Sequence, residues 1–485
     1  MFLNNHMKKR TKIICTIGPA SNSVSLLEKM VKSGMNIARL NFSHGTYKDH
    51  ALLIKNIRKV AKKTNEPIAI IQDLQGPKIR VGLLPDEGVK LEVGKEVIFN
   101  SNVKSFKDGI IPIDYPLHNY LRAGERMFLD DGRNEVKIIR IENDSIRAKV
   151  LAGGILISHK GINVPDSKLD SCAISGKDKE DIRFGIKQKV DFIALSFVND
   201  AEDILQLKQL IKNYEKELGL NPDQPIRVIA KIERAHAIQR IEKILDVVDG
   251  VMIARGDLGI EVPAQKVPVI QKQIIKLALE KEKPVIVATQ MLDSMRYRSM
   301  PTRAEVSDVA NAVIDHTDAV MLSDETAVGK FPVQSVKVMS DIIKEVEKSQ
   351  LDTLPMQDHT IDNKYQIDDI ISGFSRRLAE KIGAKIILSA SVSGDTGRLL
   401  SRYRPEVPIY IGTYIETVRN QLNLSWGVTP FLLKRCRLIE ELVKKSIIVL
   451  KQDKVIKKND KIIVVAGEPI GEQGYINLLE VKEVF

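Results

Sequence analysis

Only three cysteines occur in 485 residues, Cys15, Cys172 and Cys436, far apart and with no CxxC pair or cysteine–histidine pairing. That excludes a disulfide framework and a structural zinc site, and it fits a reducing, cytoplasmic setting. Aromatic residues are scarce, at 5% with a single tryptophan. Basic blocks interleaved with rings, which would stack on bases, are therefore missing, and nucleic acid is not the expected partner despite a net charge of +11. That charge favours anionic ligands without naming them. No apolar run is long enough to span a bilayer, and the start, MFLNNHMKKRTKIICTIGPA, has no signal-peptide core, so no membrane association is expected; Met7 is a second candidate start. Phosphate loops of the GxxxxGK[ST] and GxGxxG types, the GxSxG elbow and HExxH are all absent. Phosphate chemistry here must rest on other side chains and a metal.

Eight short apolar runs are present, each closing on polar or small residues: TKIICTIGPAS, MNIARLNFSHG, IAIIQDLQGPK, VDFIALSFVND, IRVIAKIERA, VDGVMIARGDLG, KPVIVATQMLD and TDAVMLSDETA. Amphipathic helical stretches lie between most of them, and eight alternations predict a (β/α)8 TIM barrel with its active site on the loops after the strands. The rhythm breaks between Asp73 and Phe192, where alternating strands with Asp-Gly and Gly-Gly turns predict an inserted β-barrel-type lid. After a polar linker, KSQLDTLPMQDHTIDNK, strands KIILSA, PIYIGT, TPFLL and KIIVVAG predict an open α/β domain. The expected division is barrel 1–82, lid 83–170, barrel 171–350 and C-terminal domain 351–485.

The strand ends carry the chemistry. Glu233 in AKIERA and Asp257 in ARGDLG would project into one barrel mouth, a donor set suited to Mg2+, although an isolated acid would serve a salt bridge equally. Lys231, two residues before Glu233, points the same way on an extended strand and suits phosphoryl oxygens. Gly256 to Gly259 turn from strand into helix, where backbone N–H groups can meet an anion, and the Thr289 hydroxyl can hold water or substrate. Arg39, Asn41, Ser43 and His44 close the second strand, and Asp73, Lys78 and Arg80 the third. Arg39 and Arg80 suit phosphate, while Asn41, Ser43 and Asp73 offer oxygens to a small cation. These features alone would also suit a metal-dependent lyase of keto acids built on the same barrel.

Long motifs then narrow the choice. CTIGPAS, NIARLNFSHG, QDLQGPKIR, HKGINVP, GVMIARGDLGIEVP, ATQMLDSM, PTRAEVSDVANAV and TDAVMLSDETAVGKFP occur in this order, and with them nearly the whole chain resembles the pyruvate kinase family. The resemblance implies transfer of phosphate from phosphoenolpyruvate to ADP, giving pyruvate and ATP, usually in a homotetramer. It places the divalent metal, Mg2+ or Mn2+, on Glu233 and Asp257. Lys231 would stabilise the transferring phosphoryl and Arg39 hold the substrate phosphate, with Gly256, Asp257 and Thr289 also at the substrate. Asn41, Phe42, Ser43, His44, Arg80 and Lys160 would lie at the nucleotide. Water near Thr289, with Ser323, is the expected proton donor to the enolate.

A monovalent cation site would use Asn41, Ser43, Asp73 and Leu74. However, Lys78, with Leu74, Gln75 and Val81 around it, resembles the branch in which a tethered ammonium replaces K+, so K+ is not expected to be required. The loop Ser391, Val392, Ser393, Gly394, Asp395 and Thr396 resembles an effector phosphate site for a phosphorylated sugar, with GEPIGEQG (467–474) as its companion. Four positions depart from the family pattern: Asn199 where SFVR is common, Arg234 for KIEN, His316 for DGTD and Asp324 for SGET.

Overall fold

The computed structural model describes residues 9–130, 132–167, 173–220, 224–355, 367–436, 438–467 and 476–485. Cys172, the start, the companion loop beyond Gly467 and most of the linker lie outside the described residues.

The expected strands form: Lys12–Thr16, Ile37–Asn41, Ala69–Asp73, Phe192–Leu195, Arg227–Ile232, Gly250–Ala254, Val285–Ala288 and Ala319–Leu322, called here the first to eighth. They pair in parallel and close into a barrel, the first against the eighth. Both faces of such a sheet are covered, which is why each strand reads as an unbroken apolar run. Ile14, Ile37, Ile71, Phe192, Met252 and Ile286 fill the interior, while Ile13, Val228, Val251, Val287 and Val320 face the helices. Among the described residues four helices begin in capping boxes written in the sequence, Thr46/Asp49, Ser175/Asp178, Asp200/Asp203 and Thr302/Glu305.

The lid is a seven-stranded sheet whose first and last strands are joined by the bridge Val81↔Ile113, a near-closed barrel. Its two connecting chains pair with each other, Arg80 against Gly161 and Ile79 against Ile162, so the lid sheet begins ahead of the expected boundary at 83. Asp324 pairs with Arg296 at 3.2 Å.

The C-terminal sheet contains the four expected strands and a fifth, Leu478–Glu483, antiparallel at its edge. Residues 420–426 of this domain cork the barrel floor. Leu424 joins the barrel's interior cluster, and Asn423 donates to the carbonyls of Asn36 and Pro67 at 2.9 and 2.6 Å. Trp426, the only tryptophan, lies between the guanidinium groups of Arg10 and Arg404.

His316 sits at this joint with φ 66°, a conformation that glycine adopts freely. Burial, together with Arg404, Arg376 and Arg10, lowers its imidazole to about 4. The denatured chain, with an ordinary imidazole near 6.5, takes up the proton first, so stability falls as pH drops from about 6.5 toward 4. His316→Gly is expected to flatten that part of the stability profile and to leave neutral-pH stability equal or higher. Denaturant titrations at several pH values check this, and an unchanged acid slope would refute it.

Candidate active site

The ends of the third, fourth and fifth strands bring Asp73, Ser196, Lys231 and Glu233 together at the C-terminal mouth. Lys231 Nζ donates to Ser196 Oγ at 2.7 Å and lies 2.9 Å from Glu233 Oε1 and 3.2 Å from Asp73 Oδ1. Glu233 and Asp73 are each 1% exposed, and Lys231 side-chain exposure is 11%. Burial alone would lower the ammonium pKa, but Asp73 and Glu233 outweigh it and raise it. Burial would likewise raise Asp73, yet Lys231 and Arg39 hold it below the ordinary carboxylate value. Arg39 reaches this cluster through Nε to Asp73 Oδ2 at 2.6 Å and Nη1 to Thr16 Oγ1 at 2.8 Å.

Two residues nobody would choose for left-handed backbone hold the mouth in shape. Phe197, at φ 56°, donates its N–H to Glu233 Oε2 at 2.7 Å. Thr289, at φ 71°, accepts from Gly256 N at 2.8 Å and donates to Ala288 O at 2.6 Å. Such conformations cost on the order of 1–3 kcal/mol each and cluster where function needs a fixed geometry. Arg255 restrains the second turn, donating to Thr289 O at 2.9 Å while forking onto Asp308 at 2.7 and 2.6 Å.

Asp257 lies in the first turn of helix Arg255–Glu261, half-buried, with Gly256 before it. Its charge acts on Lys231, which ties it electrostatically to the cluster. Glu233 and Asp257 supply oxygen donors only. Among the described residues no group of three or more histidine, cysteine or acidic side chains is set to hold a metal. A two-carboxylate site completed by water and substrate oxygens is what Mg2+ tolerates best.

The expected nucleotide residues divide. His44 is exposed, and Asn41 Oδ1 accepts from Ser43 N at 3.1 Å. Phe42 is buried with its ring stacked on His50, 4.0 Å between centroids, so a nucleotide would meet its backbone rather than its face. Arg80 donates to His159 O at 2.9 Å, and Lys160 pairs with Asp130 at 2.8 Å, both at the root of the lid. Leu74 O accepts from Ser196 Oγ at 2.6 Å. Lys78 lines a cavity of about 410 Å³ between the lid root and the loops after the fourth and fifth strands.

The loop Ser391–Thr396 lies at the opposite end of the barrel. Arg227, the first residue of the fifth strand, donates to Ser393 O at 2.8 Å. Asp395 accepts from Ser393 and Arg398, so its charge is turned onto Arg398. Sequence reasoning missed Ser196, Phe197, Arg255 and Asp308. SFVN and ARGD lie within quoted strand ends, but only the folded loops reveal what these residues touch.

The comparisons with known proteins agree with this architecture. Residues 8–336 match the family model for the pyruvate kinase barrel domain, and residues 369–482 that for the pyruvate kinase alpha/beta domain. A curated pyruvate kinase of Geobacillus stearothermophilus is 40% identical over 481 residues, 99% of this chain and 81% of that protein. Pyruvate kinase 2 of Synechocystis sp. is 41% identical over 483 residues, 99% of this chain and 80% of that protein. A solved pyruvate kinase from Cryptosporidium parvum superposes with a TM-score of 0.91 at 32% identity, covering 99% of this chain and 97% of that one. With both family models matched and the barrel, inserted lid and C-terminal sheet in place, the chain belongs to the pyruvate kinase family.

Proposed function

We propose that this chain transfers the phosphoryl group of phosphoenolpyruvate to ADP, yielding pyruvate and ATP. The observation that carries the reading is the buried Lys231, held between Asp73 and Glu233 at the barrel mouth, with Arg39 beside it. Phosphoryl transfer needs positioning and charge neutralisation more than covalent help. Lys231 neutralises charge on the phosphoryl oxygens as the bond to the enol oxygen breaks and that to the ADP oxygen forms. Arg39 holds the substrate phosphate, and Gly256, Asp257 and Thr289 orient the substrate. Glu233 and Asp257 would hold Mg2+ or Mn2+, which when bound would neutralise further phosphoryl charge.

The enolate left behind takes a proton at carbon. Thr289 keeps its hydroxyl proton on Ala288 O, whereas Ser323 Oγ is buried without a hydrogen-bond partner. Ser323 is therefore the hydroxyl we assign to the donor water. Arg80, Lys160 and the Asn41–His44 loop serve the nucleotide. The reading extends to a cytoplasmic homotetramer with a phosphorylated-sugar effector at Ser391–Thr396. Among the described residues no helix is long and apolar enough to cross a membrane.

The test follows pyruvate from phosphoenolpyruvate in a coupled assay with Mg2+. Formation that depends on ADP is expected, and its absence in folded protein would sink the proposal. The same assay with K+ replaced by Na+ tests the monovalent ion. Lys78 brings an ammonium into the loop that follows Asp73. Activity within about two-fold of that in K+ is expected, since a tethered charge can stand in for a bound one. Strict K+ dependence would overturn that part alone.

A further inference from the structure

Two of the four departures from the family pattern are partners: Arg234 Nη1 donates to Asn199 Oδ1 at 2.9 Å. The same guanidinium lies over the Phe197 ring, 5.4 Å from its centroid. Gly76 presses from the third-strand loop. A Cβ there would stand 3.0 Å from Phe197 Cδ2 and 2.9 Å from Ser196 Cβ. Phe197 is thus wedged in its left-handed conformation by Gly76 and by a flat cation that Asn199 anchors. That conformation aims the Phe197 N–H at Glu233 Oε2 and leaves Oε1 facing Lys231. The cavity of about 410 Å³ beside Phe197, Asn199 and Arg234 gives the turn room to relax if the clamp is removed.

We infer that Arg234 is a positioning residue for Glu233, acting through the Phe197 turn to fix the carboxylate for a divalent cation. The inference rests on the proposed role of Glu233 as a metal ligand. Groups that orient a metal ligand without touching the metal commonly change affinity by about 10- to 100-fold. A side chain that only filled space would alter stability and leave metal affinity alone.

Mn2+ binding to the full chain, read by electron paramagnetic resonance without substrates, tests it. Arg234→Ala is expected to weaken Mn2+ binding by about tenfold or more and to raise the Mg2+ needed for half-activation in parallel, with KM for phosphoenolpyruvate changed by less than about two-fold. Arg234→Lys, which keeps the charge and loses the flat stack, is expected to shift in the same direction and serves if the alanine variant fails to fold. Arg234→Ala combined with Phe197→Leu should bind Mn2+ no worse than Phe197→Leu alone, because both act through one turn. Unchanged Mn2+ affinity in the folded Arg234 variants, or additive losses in the double variant, would overturn the inference. Glu233→Gln separates the two levels. If it abolishes Mn2+ binding while the Arg234 variants bind normally, only the inference falls; if it too binds normally, the metal assignment falls.

Discussion

Replacing Lys231 by methionine is expected to lower kcat by about 10³-fold or more, the scale seen when a cation facing a transferring phosphoryl is removed. Methionine nearly matches the length of the stem, so the change deletes a charge rather than a shape. Arg39 still binds Asp73, and the Phe197 N–H still binds Glu233, so neither buried carboxylate is wholly abandoned. The stability loss should therefore stay below the roughly 3–5 kcal/mol of a fully broken buried pair. In the unaltered protein the pair itself does not titrate near neutrality. Asp73 is depressed, so its stabilising charge is present above the ordinary carboxylate value and is lost only as pH falls through its lower folded one. The raised Lys231 contributes fully below its ordinary value, about 10.4, and is lost only as pH rises beyond its folded one. Across the neutral range both charges are therefore fixed. Near-normal kcat in a folded Lys231→Met protein would show that this ammonium does not face the reacting phosphoryl.

What was legible in the sequence followed from local periodicity. Parallel strands buried on both faces must be apolar throughout, and all eight could be seen as runs such as IAIIQ and VIVAT. Strand alternation put Lys231 and Glu233 on one side, where the structure pairs them. The cork at 420–426 was hidden because NQLNLSW mixes polar and apolar residues that are all buried, the polar ones satisfying loop carbonyls of a distant domain. No local pattern encodes such a contact. The left-handed turns at Phe197 and Thr289 were hidden for the opposite reason, since their residue types argue against that backbone and tertiary hydrogen bonds impose it. The edge strand LLEVKE, half-buried and charged, carries a weaker apolar signal than its neighbours.

Arg404→Met is expected to destabilise the chain by about 3–5 kcal/mol, with the barrel–C-terminal joint opening first. Arg404 is 2% exposed, and its guanidinium donates to His316 O at 2.8 Å, Asp318 Oδ2 at 3.0 Å and Ser401 O at 2.9 Å. Its Cζ lies over the Trp426 ring, 5.1 Å from the centroid. Asp318 is buried, and its other oxygen accepts from Trp426 N at 3.0 Å. Removing the arginine therefore leaves a buried carboxylate without its cation at the point where the cork enters the barrel floor. Trp426 is the only tryptophan, so its fluorescence reports this joint specifically, while far-ultraviolet circular dichroism reports the whole chain. In the variant the fluorescence transition should move to lower denaturant than the circular dichroism transition, because the joint would no longer unfold with the barrel. Coincident transitions at the wild-type midpoint would mean that the buried cation contributes nothing to holding the C-terminal domain on the barrel.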